Sequence, residues 1–295
     1  MMDGNAVLEI GCISGMGKAY GGAANADVNG NVELNISNGT YGQVFGGNDM
    51  GGAIRGSITV NIQETGCRPI IIGELYGGGN EAAYSVYGYD ANGVPLTSGD
   101  NKQDDPQLNV RSFTSIGAIY GGGYGVSAKI VGNTNVNIDV FEGKFKETVI
   151  VENSRVIGST VKKPGDTGYS TTEGFEIPSH AANTMGAIGT VFGGGNAAEV
   201  DGNTNVRIGT EMGTEVYEAV TIAVGKNVTG YYTRIGEGTT ANPYSYSEAS
   251  GTAAENTTYY QKKTVLGADI RGDVFGGGLG KTAIVSGNTN VVIGR

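Results

Sequence analysis

Apolar and polar residues alternate with a period of two in several short stretches of this chain. In the stretch TNVRI at 204–208, the first, third and fifth residues fall on one side and the two between them on the other. This alternation is typical of a half-buried β-strand and not of a helix. The same parity recurs in AVLEI at 6–10, VELNI at 32–36, ITVNI at 58–62, QLNV at 107–110, TNVNI at 134–138 and TNVVI at 289–293. The pattern therefore predicts a series of equivalent strands.

Most of these strands close a longer repeated unit. Residues 192–208 read FGGGNAAEVDGNTNVRI, and close copies stand at 120–138 and 275–293. Each copy has an aromatic residue, a glycine run, a short variable strand, a polar corner and the alternating strand. A unit this short cannot enclose a core, so the copies are predicted to stack on one another. Stacking aligns equivalent residues about 4.8 Å apart and predicts inward aliphatic columns and an outward column rich in asparagine.

An aromatic residue precedes each glycine run, and stacked coils would bring these residues into a column. The column comprises Tyr20, Phe45, Tyr76, Tyr120, Phe192 and Phe275. The aliphatic residues just before them are Ala19, Val44, Leu75, Ile119, Val191 and Val274. The sequence leaves open which of the two sets faces the core. The glycines after the rings predict a close turn in which no Cβ fits.

These repeats resemble those of right-handed parallel β-helices of the pectin-lyase-like type, and especially the Gly/Asn/Thr-rich repeat proteins of bacterial surfaces. The resemblance implies an all-β fold, with a single right-handed parallel β-helix over 1–295 and about seven coils. It also implies an extracellular or cell-surface location, as in adhesins and autotransporter passengers. It does not imply an activity, because the same scaffold carries lyases, hydrolases and adhesins.

Three segments depart from the repeat, at 80–105, 139–187 and 209–269. In the first, Asn92 and Gly93 predict a hairpin turn. The other two leave from the same corner of the unit, begin with strand-like sequence and continue with loop-like sequence. We therefore expect these two long excursions to project from one side of the β-helix, where insertions often form the binding face of a repeat protein.

Tyrosine is frequent, with 16 residues against no tryptophan, and many of the tyrosines lie in the excursions. A tyrosine ring offers an apolar face and a polar hydroxyl at low entropic cost, which suits recognition of glycans or proteins. The predicted ligand-binding residues are Tyr231, Tyr232, Tyr244, Tyr246, Tyr259 and Tyr260. The alternative is that these rings pack the excursion onto the β-helix.

Residues suited to catalysis or metal binding are few, and no catalytic residue is predicted. His180 is the only histidine, which disfavours multi-histidine metal sites and a Ser-His-Asp arrangement. Its Ser/Thr-rich loop predicts an exposed side chain. The carboxylates of Asp104 and Asp105 are interpreted as solvated loop charges and not as a glycosidase pair. No metal or cofactor is predicted, although calcium at a Gly/Asp-rich turn is left open.

The formal net charge is −10, and Lys and Arg form no cluster in the sequence. Nucleic acid and anionic membrane surfaces are therefore not expected as partners, and no apolar run approaches the length of a membrane span. The chain enters a strand almost at once and ends on another, so we expect a fragment of a longer repeat protein. Exposed terminal coils also predict end-to-end association as an alternative.

The two cysteines, Cys12 and Cys67, each follow the alternating strand of a coil and lie two coils apart. Stacking would separate them by roughly 10 Å, whereas disulfide-bonded residues have Cα atoms closer than about 7 Å. We therefore predict two independent cysteines, unless a rearrangement of the loops brings them together.

These features together predict a non-enzymatic segment of a bacterial surface or secreted, adhesin-like protein. Its coils would act as a stiff spacer, and its tyrosine-rich excursions would contact a glycan or a protein. One alternative is a polysaccharide lyase or glycosidase on the same scaffold, which would need two carboxylates about 5–10 Å apart. Another is a structural fibre that self-associates through its terminal coils.

Overall fold

The computed structural model describes residues 3–294, and all regular secondary structure in this range is β. The strands, in chain order, are β1 (Ala6–Ile10), β2 (Gly15–Tyr20), β3 (Val32–Ile36), β4 (Gly39–Phe45), β5 (Ile58–Gln63), β6 (Ile70–Tyr76), β7 (Tyr84–Ser85), β8 (Gln107–Ser112), β9 (Ser115–Tyr120), β10 (Ile130–Val131), β11 (Thr134–Ile138), β12 (Val140–Phe141), β13 (Arg155–Ile157), β14 (Thr160–Lys162), β15 (Phe175–Glu176), β16 (Ala187–Phe192), β17 (Val200–Asp201), β18 (Thr204–Ile208), β19 (Glu215–Val220), β20 (Tyr232–Ile235), β21 (Ser245–Glu248), β22 (Tyr259–Gly267), β23 (Asp269–Ile270), β24 (Val274–Phe275) and β25 (Thr289–Ile293).

Two long parallel sheets account for most of the repeated strands. Sheet 1 has seven strands in the order β1-β3-β5-β8-β11-β18-β25, and sheet 2 has the order β2-β4-β6-β9-β16-β23, with β24 also paired to β16. A short parallel sheet, sheet 3, contains β7, β10 and β17. Strands of sheets 1 and 2 follow one another along the chain, so successive coils add a strand to each sheet. This all-β arrangement of parallel sheets is compatible with the predicted β-helix.

The register of sheet 1 confirms the predicted aliphatic columns. One column contains Ile10, Ile36, Ile62, Val110, Ile138, Ile208 and Ile293, and the other contains Leu8, Leu34, Val60, Leu108, Val136, Val206 and Val291. From Leu34 to Val206, every member of both columns is at most 1% exposed. Burial of one such side chain contributes about 1.5–3 kcal/mol, so the stacked strands build a continuous core.

The aromatic column is also in register, and its rings stack face to face. Neighbouring ring centroids from Tyr20 to Phe275 are 4.7–5.1 Å apart. The preceding aliphatic residues, such as Val44 and Leu75, belong to the main core, whereas Tyr76 belongs to a separate buried cluster of rings. The aliphatic side chains therefore face the interior, and the rings stack outside it, which answers the question that the sequence left open.

Glycine follows each ring because the next coil passes too close for a side chain. A Cβ built on Gly121 would lie 2.2 Å from the carbonyl oxygen of Gly193. At the equivalent position two coils earlier, a Cβ on Gly46 would lie 2.5 Å from the carbonyl oxygen of Gly77. The close turn predicted from the glycine runs is therefore a direct consequence of the stacking.

The outward column of sheet 1 forms a ladder of side-chain amides. Asn61 donates from Nδ2 to Oδ1 of Asn35 over 2.8 Å, and Asn109 donates in the same way to Asn61 over 3.0 Å. Asn137 continues the ladder with a bond of 3.0 Å to Asn109. A second ladder on the same face comprises Asn135, Asn205 and Asn290. The polar surface of the sheet is thus as regular as its core surface.

The hairpin turn predicted at Asn92 and Gly93 is present. The N–H group of Asp90 donates to the carbonyl oxygen of Val94 over 2.9 Å, and the N–H group of Gly93 donates back to Asp90 over 3.1 Å. Gly93 has a φ of 78°, a conformation that glycine adopts without a steric cost.

The first long excursion, at 139–187, folds back onto sheet 2. Its strands β13, β14 and β15 form an antiparallel sheet. Ile150, Val156 and Ile177 of the excursion pack against Ile71, which lies in β6. The excursion therefore buries its apolar side chains against the outer surface of sheet 2.

A column of glycines on the outer surface of sheet 2 provides the space for this contact. A Cβ on Gly73 would lie 2.6 Å from the Cβ of Phe175, and one on Gly117 would lie 2.2 Å from the carbonyl oxygen of Glu176. Gly17, which occupies the same column on β2, has nothing within 4 Å of its Cβ position. A Cβ on Gly73 or Gly117 would also lie 2.5 or 2.4 Å from the carbonyl oxygen of the glycine before it in the column, so the stacking of the coils and the excursion both exclude a side chain there.

The second long excursion, at 209–269, forms an antiparallel sheet in which β22 pairs with β19 and β20, and β20 pairs with β21; β22 also pairs with β12, which follows sheet 1 strand β11 in the chain. Lys263 Nζ lies 3.1 Å from Glu218 Oε2, and the two side chains are 10% and 11% exposed. Gln63, at the end of β5, donates a hydrogen bond to the other carboxylate oxygen of Glu218. Lys263 Nζ also lies 4.8 Å from the ring centroid of Phe141. Glu218 and Lys263 both belong to the excursion, so their ion pair joins β19 to β22, and the contact with sheet 1 is the hydrogen bond from Gln63 to Glu218.

Two buried carboxylates hold the roots of the excursions. Glu64 follows β5, is 1% exposed, and accepts hydrogen bonds from the N–H groups of Ile70 and Lys144 over 3.0 and 3.2 Å. Asp139 follows β11, is 3% exposed, and accepts one from the N–H group of Glu211 over 2.8 Å. Burial raises the pKa of both carboxyl groups above the ordinary range, against the opposing effect of these hydrogen bonds.

The two cysteines form a disulfide, so the prediction of independent cysteines was wrong. The Cα atoms of Cys12 and Cys67 are 5.3 Å apart. On the coil between them, the side-chain oxygen of Asn38 accepts hydrogen bonds from the N–H groups of Cys67 and Arg68 over 2.7 and 2.9 Å. The loop after β5 is thereby bent over the corner of the intervening coil, which removes the separation that straight stacking would leave.

Candidate functional site

The sheet of the second excursion divides the predicted tyrosines between its two faces. Tyr231 and Tyr232 are adjacent in the chain, as are Tyr259 and Tyr260, so the two rings of each pair point to opposite faces. Tyr259 and Tyr231 pack with Val228 in a small hydrophobic cluster. Tyr232 and Tyr260 lie directly opposite each other across β20 and β22. Only one ring of each pair is therefore free of that cluster.

A group of aromatic residues comes together on the side away from this cluster. We call it the tyrosine face, and it comprises Tyr217, Tyr232, Arg234, Tyr244, Tyr246 and Tyr260. Four of its members are predicted site residues, whereas Tyr231 and Tyr259 are not part of it. Tyr217 and Arg234 were missed in the prediction. Arg234 could have been found because it is two residues after Tyr232 in a strand, and such residues share a face. Tyr217 could have been found from the alternation in EVYEAV of β19.

The rings of the tyrosine face contact one another in a connected set. Tyr217 and Tyr246 stack with centroids 3.9 Å apart and planes 5° from parallel. Tyr217 meets Tyr232 edge to face at 5.1 Å, and Tyr246 meets Tyr260 edge to face at the same distance. Each such pair contributes about 0.5–1.5 kcal/mol beyond the area that it buries. The face is therefore ordered before any ligand arrives.

Arg234 lies among these rings. Its guanidinium carbon is 4.2 Å from the ring centroid of Tyr244 and 5.5 Å from that of Tyr260. Attraction between the cation and the aromatic rings contributes about 0.5–1 kcal/mol at an exposed site. Arg234 is itself exposed, and among residues 3–294 no carboxylate forms an ion pair with it. The guanidinium is thus positioned by rings and not by an acid.

Polar side chains border the tyrosine face. The hydroxyl of Tyr232 donates to Glu248 Oε1 over 3.4 Å, and Lys262 Nζ lies 2.9 Å from Glu215 Oε1 and 5.9 Å from the Tyr232 ring centroid. The hydrogen bond to Glu215 raises the pKa of Lys262. Both acids on this border therefore have partners within the protein.

Exposure changes across the tyrosine face. Tyr260 is 7% exposed and forms its floor, whereas Tyr244 is 48% exposed and forms its rim. Tyr217, Tyr232 and Tyr246 are half-buried. A surface of ring faces, hydroxyl groups and one guanidinium can bind a ligand by stacking and by hydrogen bonding. It contains no group arranged as a nucleophile with its base.

The histidine does not have the exposed position that the sequence predicted. His180 is 2% exposed, exchanges two backbone hydrogen bonds of 2.9 Å with Ile150, and has Nδ1 2.6 Å from the carbonyl oxygen of Thr148. The prediction was wrong because distant parts of the first excursion close on each other as an antiparallel pair. The histidine is thereby part of the excursion's internal packing.

The carboxylate pair at 104–105 is also more structural than predicted. Asp105 accepts hydrogen bonds from the backbone N–H group and the side-chain amide of Asn133 over 3.0 and 2.8 Å. One coil later, Asn133 accepts a hydrogen bond from the N–H group of Asn203 over 2.8 Å. Asp105 therefore occupies a corner position that asparagine holds in the next coil. Its carboxylate belongs to the stacking of the coils and is not only a solvated loop charge.

The described residues offer no metal centre and no membrane-spanning helix. Across residues 3–294, no group of three or more His, Cys, Asp or Glu side chains is arranged to hold a metal ion. Over the same residues, no helix with the length and apolar character needed to cross a bilayer is found. Comparison with protein-family models, with curated proteins and with solved structures finds no match for this chain.

Proposed function

We propose that this chain is a right-handed parallel β-helix segment of an adhesin-like bacterial protein, secreted or displayed on the cell surface. Its role is binding and not catalysis, and its ligand is a glycan. The observation that carries the proposal is the tyrosine face, because it gathers five aromatic rings and a guanidinium on one side of an excursion sheet. The stacked coils beneath it act as a stiff spacer.

The way in which the excursion is held supports a recognition role. The tyrosine face lies on a hydrogen-bonded sheet, and that sheet is held on the coils by the hydrogen bond from Gln63 to Glu218 and by the pairing of β22 with β12. Ordering of side chains on binding costs about 0.5–1.5 kcal/mol for each flexible side chain that becomes fixed. Rings already fixed by their neighbours avoid much of this cost, so the face is suited to bind without rearrangement.

The disulfide supports a location outside the cytosol. Disulfides form and persist in secreted and surface proteins and are rare in reducing compartments. Cys12 and Cys67 are joined across two coils, so the folded chain uses an oxidised pair in its structure. The net charge of −10 is also consistent with a partner other than nucleic acid.

A glycan is favoured over an apolar protein partner by the composition of the tyrosine face. Sugars present apolar C–H faces and many hydroxyl groups, and tyrosine offers the complementary ring face and hydroxyl. Glu248 and Lys262 at the border add further hydrogen-bonding groups. An apolar protein surface would instead leave the exposed guanidinium of Arg234 without a hydrogen-bond acceptor, at a cost for the buried group.

A glycan array with the whole chain tests this proposal. Each glycan that the unmodified chain binds should be bound about tenfold or more weakly by the Tyr244→Ala and Tyr246→Ala variants. Tyr124→Ala is the matched control, because Tyr124 is 37% exposed and lies on the coils away from the tyrosine face. Glycan binding that survives both variants, or no glycan binding at all, would contradict the proposal. Sugar release from acidic polysaccharides in the same preparation would favour an enzyme instead.

A further inference from the structure

Arg234 carries a positive charge that no carboxylate among residues 3–294 neutralises through an ion pair. The chain has 29 acidic and 19 basic residues, so acids are abundant. Across the strand pair, the residue opposite Arg234 is Tyr246 and not a carboxylate. A guanidinium in this position keeps its full charge and most of its N–H donors for a ligand.

The acids closest to the tyrosine face in the sheet already have other partners. Glu215, on β19, pairs with Lys262 over 2.9 Å, and Glu248, on β21, accepts the hydroxyl of Tyr232 over 3.4 Å. On the opposite face, Glu218 pairs with Lys263. Each of these acids therefore stabilises the sheet through its own partner, and the guanidinium of Arg234 remains available to a ligand.

The rings hold the guanidinium in a defined place. Tyr244 lies 4.2 Å from its carbon and Tyr260 lies 5.5 Å away on the floor of the face. Guanidinium N–H groups point outward in the plane of the group, and this fork matches the two oxygens of a carboxylate or sulfate. Contact with the rings restricts the long side chain in advance, so less freedom is lost when an anion binds.

We infer that Arg234 is the residue that determines specificity on the tyrosine face, and that it selects glycans that carry an anionic group. The ligand is then an acidic sugar whose carboxylate or sulfate oxygens accept from Arg234 while its ring lies against the exposed face of Tyr244. This inference rests on the proposed function, because it names the class of glycan that the same face takes.

The experiment compares acidic and neutral glycans of the same core. The probes are sialyllactose, sulfated lactose and lactose, titrated against the whole chain and its Arg234→Gln and Arg234→Lys variants. The unmodified chain should bind one or both acidic probes about tenfold more tightly than lactose, as expected for charge-assisted hydrogen bonds. In Arg234→Gln the ratio of acidic to neutral affinity should fall to about one, and in Arg234→Lys to an intermediate value, because lysine keeps the charge but not the fork.

Two controls separate specificity from folding. Arg207→Gln removes an exposed arginine of sheet 1 and should leave the affinity ratio unchanged. The ratio in the unmodified chain should also fall as salt is added, because an exposed charge is screened, whereas a purely structural role of Arg234 would not produce this dependence. The two acidic probes distinguish a carboxylate from a sulfate as the preferred group.

The outcomes for this inference and for the proposed function differ. Equal affinity of the unmodified chain for acidic and neutral probes, or an unchanged ratio in Arg234→Gln, overturns the selection by charge while glycan binding stands. Equally tight binding of a glutamate-rich peptide would also overturn it, because the tyrosine face would then recognise negative charge on any molecule and would not select acidic sugars. Failure to bind any probe or any member of the glycan array rejects the proposed function itself.

Discussion

The two long excursions of this protein are attached to the coils in opposite ways. The first lies flat on sheet 2, with Ile150 and Val156 packed on Ile71 and its backbone seated on glycines. The second contacts sheet 1 through the hydrogen bond from Gln63 to Glu218, whose carboxylate is paired within the excursion to the nearly buried Lys263, and it turns its rings away from that contact. An excursion that uses its apolar side chains for attachment acts as a cover, whereas one that attaches through a polar side-chain contact and backbone pairing keeps its rings for display.

The largest expected effect in this comparison comes from Glu218→Ala. The substitution leaves the ammonium group of Lys263 almost buried without its partner, which costs about 3–5 kcal/mol. Strand β19 should separate from β22 and lose its contact with Gln63, so hydrogen exchange of β19 should rise while that of sheet 1 stays low. Glu215→Ala is the matched control, because it removes an acid from an exposed pair of the same strand and should leave exchange unchanged. Equal exchange in the two variants would mean that the ion pair does not hold β19 against β22.

The first excursion should instead be sensitive to a single methyl group beneath it. In Gly117→Ala the new Cβ would meet the carbonyl oxygens of Glu176 and Gly73 at 2.2 and 2.4 Å, and such overpacking costs about 1–3 kcal/mol. Limited proteolysis within 155–176 should become faster. Gly189→Ala is the matched control, because its Cβ would meet the neighbouring coil first, at 2.1 Å from the carbonyl oxygen of Gly117. Equally fast cleavage within 155–176 in both variants would refute the contact between Gly117 and the excursion.

A smaller effect is expected from pH at the root of the first excursion. Burial raises the pKa of Glu64 in the folded state above its value in the unfolded chain, so the folded state binds this proton more tightly. The contribution of Glu64 to stability is therefore present below the ordinary glutamate pKa of about 4.3 and is lost as pH rises through the raised value. Thermal unfolding of Glu64→Gln should show a weaker fall of stability with rising pH than the unmodified chain.

Glu142 provides a control of opposite sign for this pH effect. The hydrogen bond from Lys146 lowers the pKa of Glu142, so its contribution is present at higher pH and lost as pH falls. Glu142→Gln should leave the fall of stability with rising pH in place. If Glu64→Gln and Glu142→Gln give the same pH profile, the burial of Glu64 does not have the assigned effect.

The smallest effect on stability is expected at the rim of the tyrosine face. Tyr244→Ala removes one cation–ring contact of Arg234, which is worth about 0.5–1 kcal/mol at an exposed site. The thermal midpoint should therefore change little, although glycan binding should fall. A large loss of stability in this variant would show that the ring of Tyr244 is needed to pack the excursion. The proposed difference between the two excursions, one attached by its apolar side chains and the other presenting its rings, would then be contradicted.

Much of the fold was predictable because each coil repeats the same local information. Alternation in TNVRI and its copies predicted the columns that run through Ile36, Ile62 and Ile138, and the register of sheet 1 confirms them. The candidate site was predictable only in part. Four tyrosines come together as a group, but Tyr231 and Tyr259 point to the other side of the sheet. Arg234 was not considered, because the rings that it contacts, Tyr244 and Tyr260, lie on other strands or turns of the excursion.

The wrong predictions share one physical cause. Stacking arithmetic put Cys12 and Cys67 too far apart because it ignored the bend that Asn38 imposes on the loop. The loop composition around His180 suggested exposure because the backbone pairing with Ile150 lies 30 residues away in the chain. The disulfide and the burial of His180 each depend on a single contact that does not recur in the repeats, so the repeat pattern could not predict it.

The sequence alone determined the all-β character, the equivalent strands and the order of their columns, because every copy carries the same alternation of apolar and polar residues and can therefore stack in register on the next. Only the tertiary structure decided how the excursions attach and which rings they present. Gln63 and Glu218 meet across 155 positions of the chain, and Glu64 meets the N–H group of Lys144 across 80. Such contacts occur once, so their geometry arises from the folded arrangement and not from a pattern along the chain.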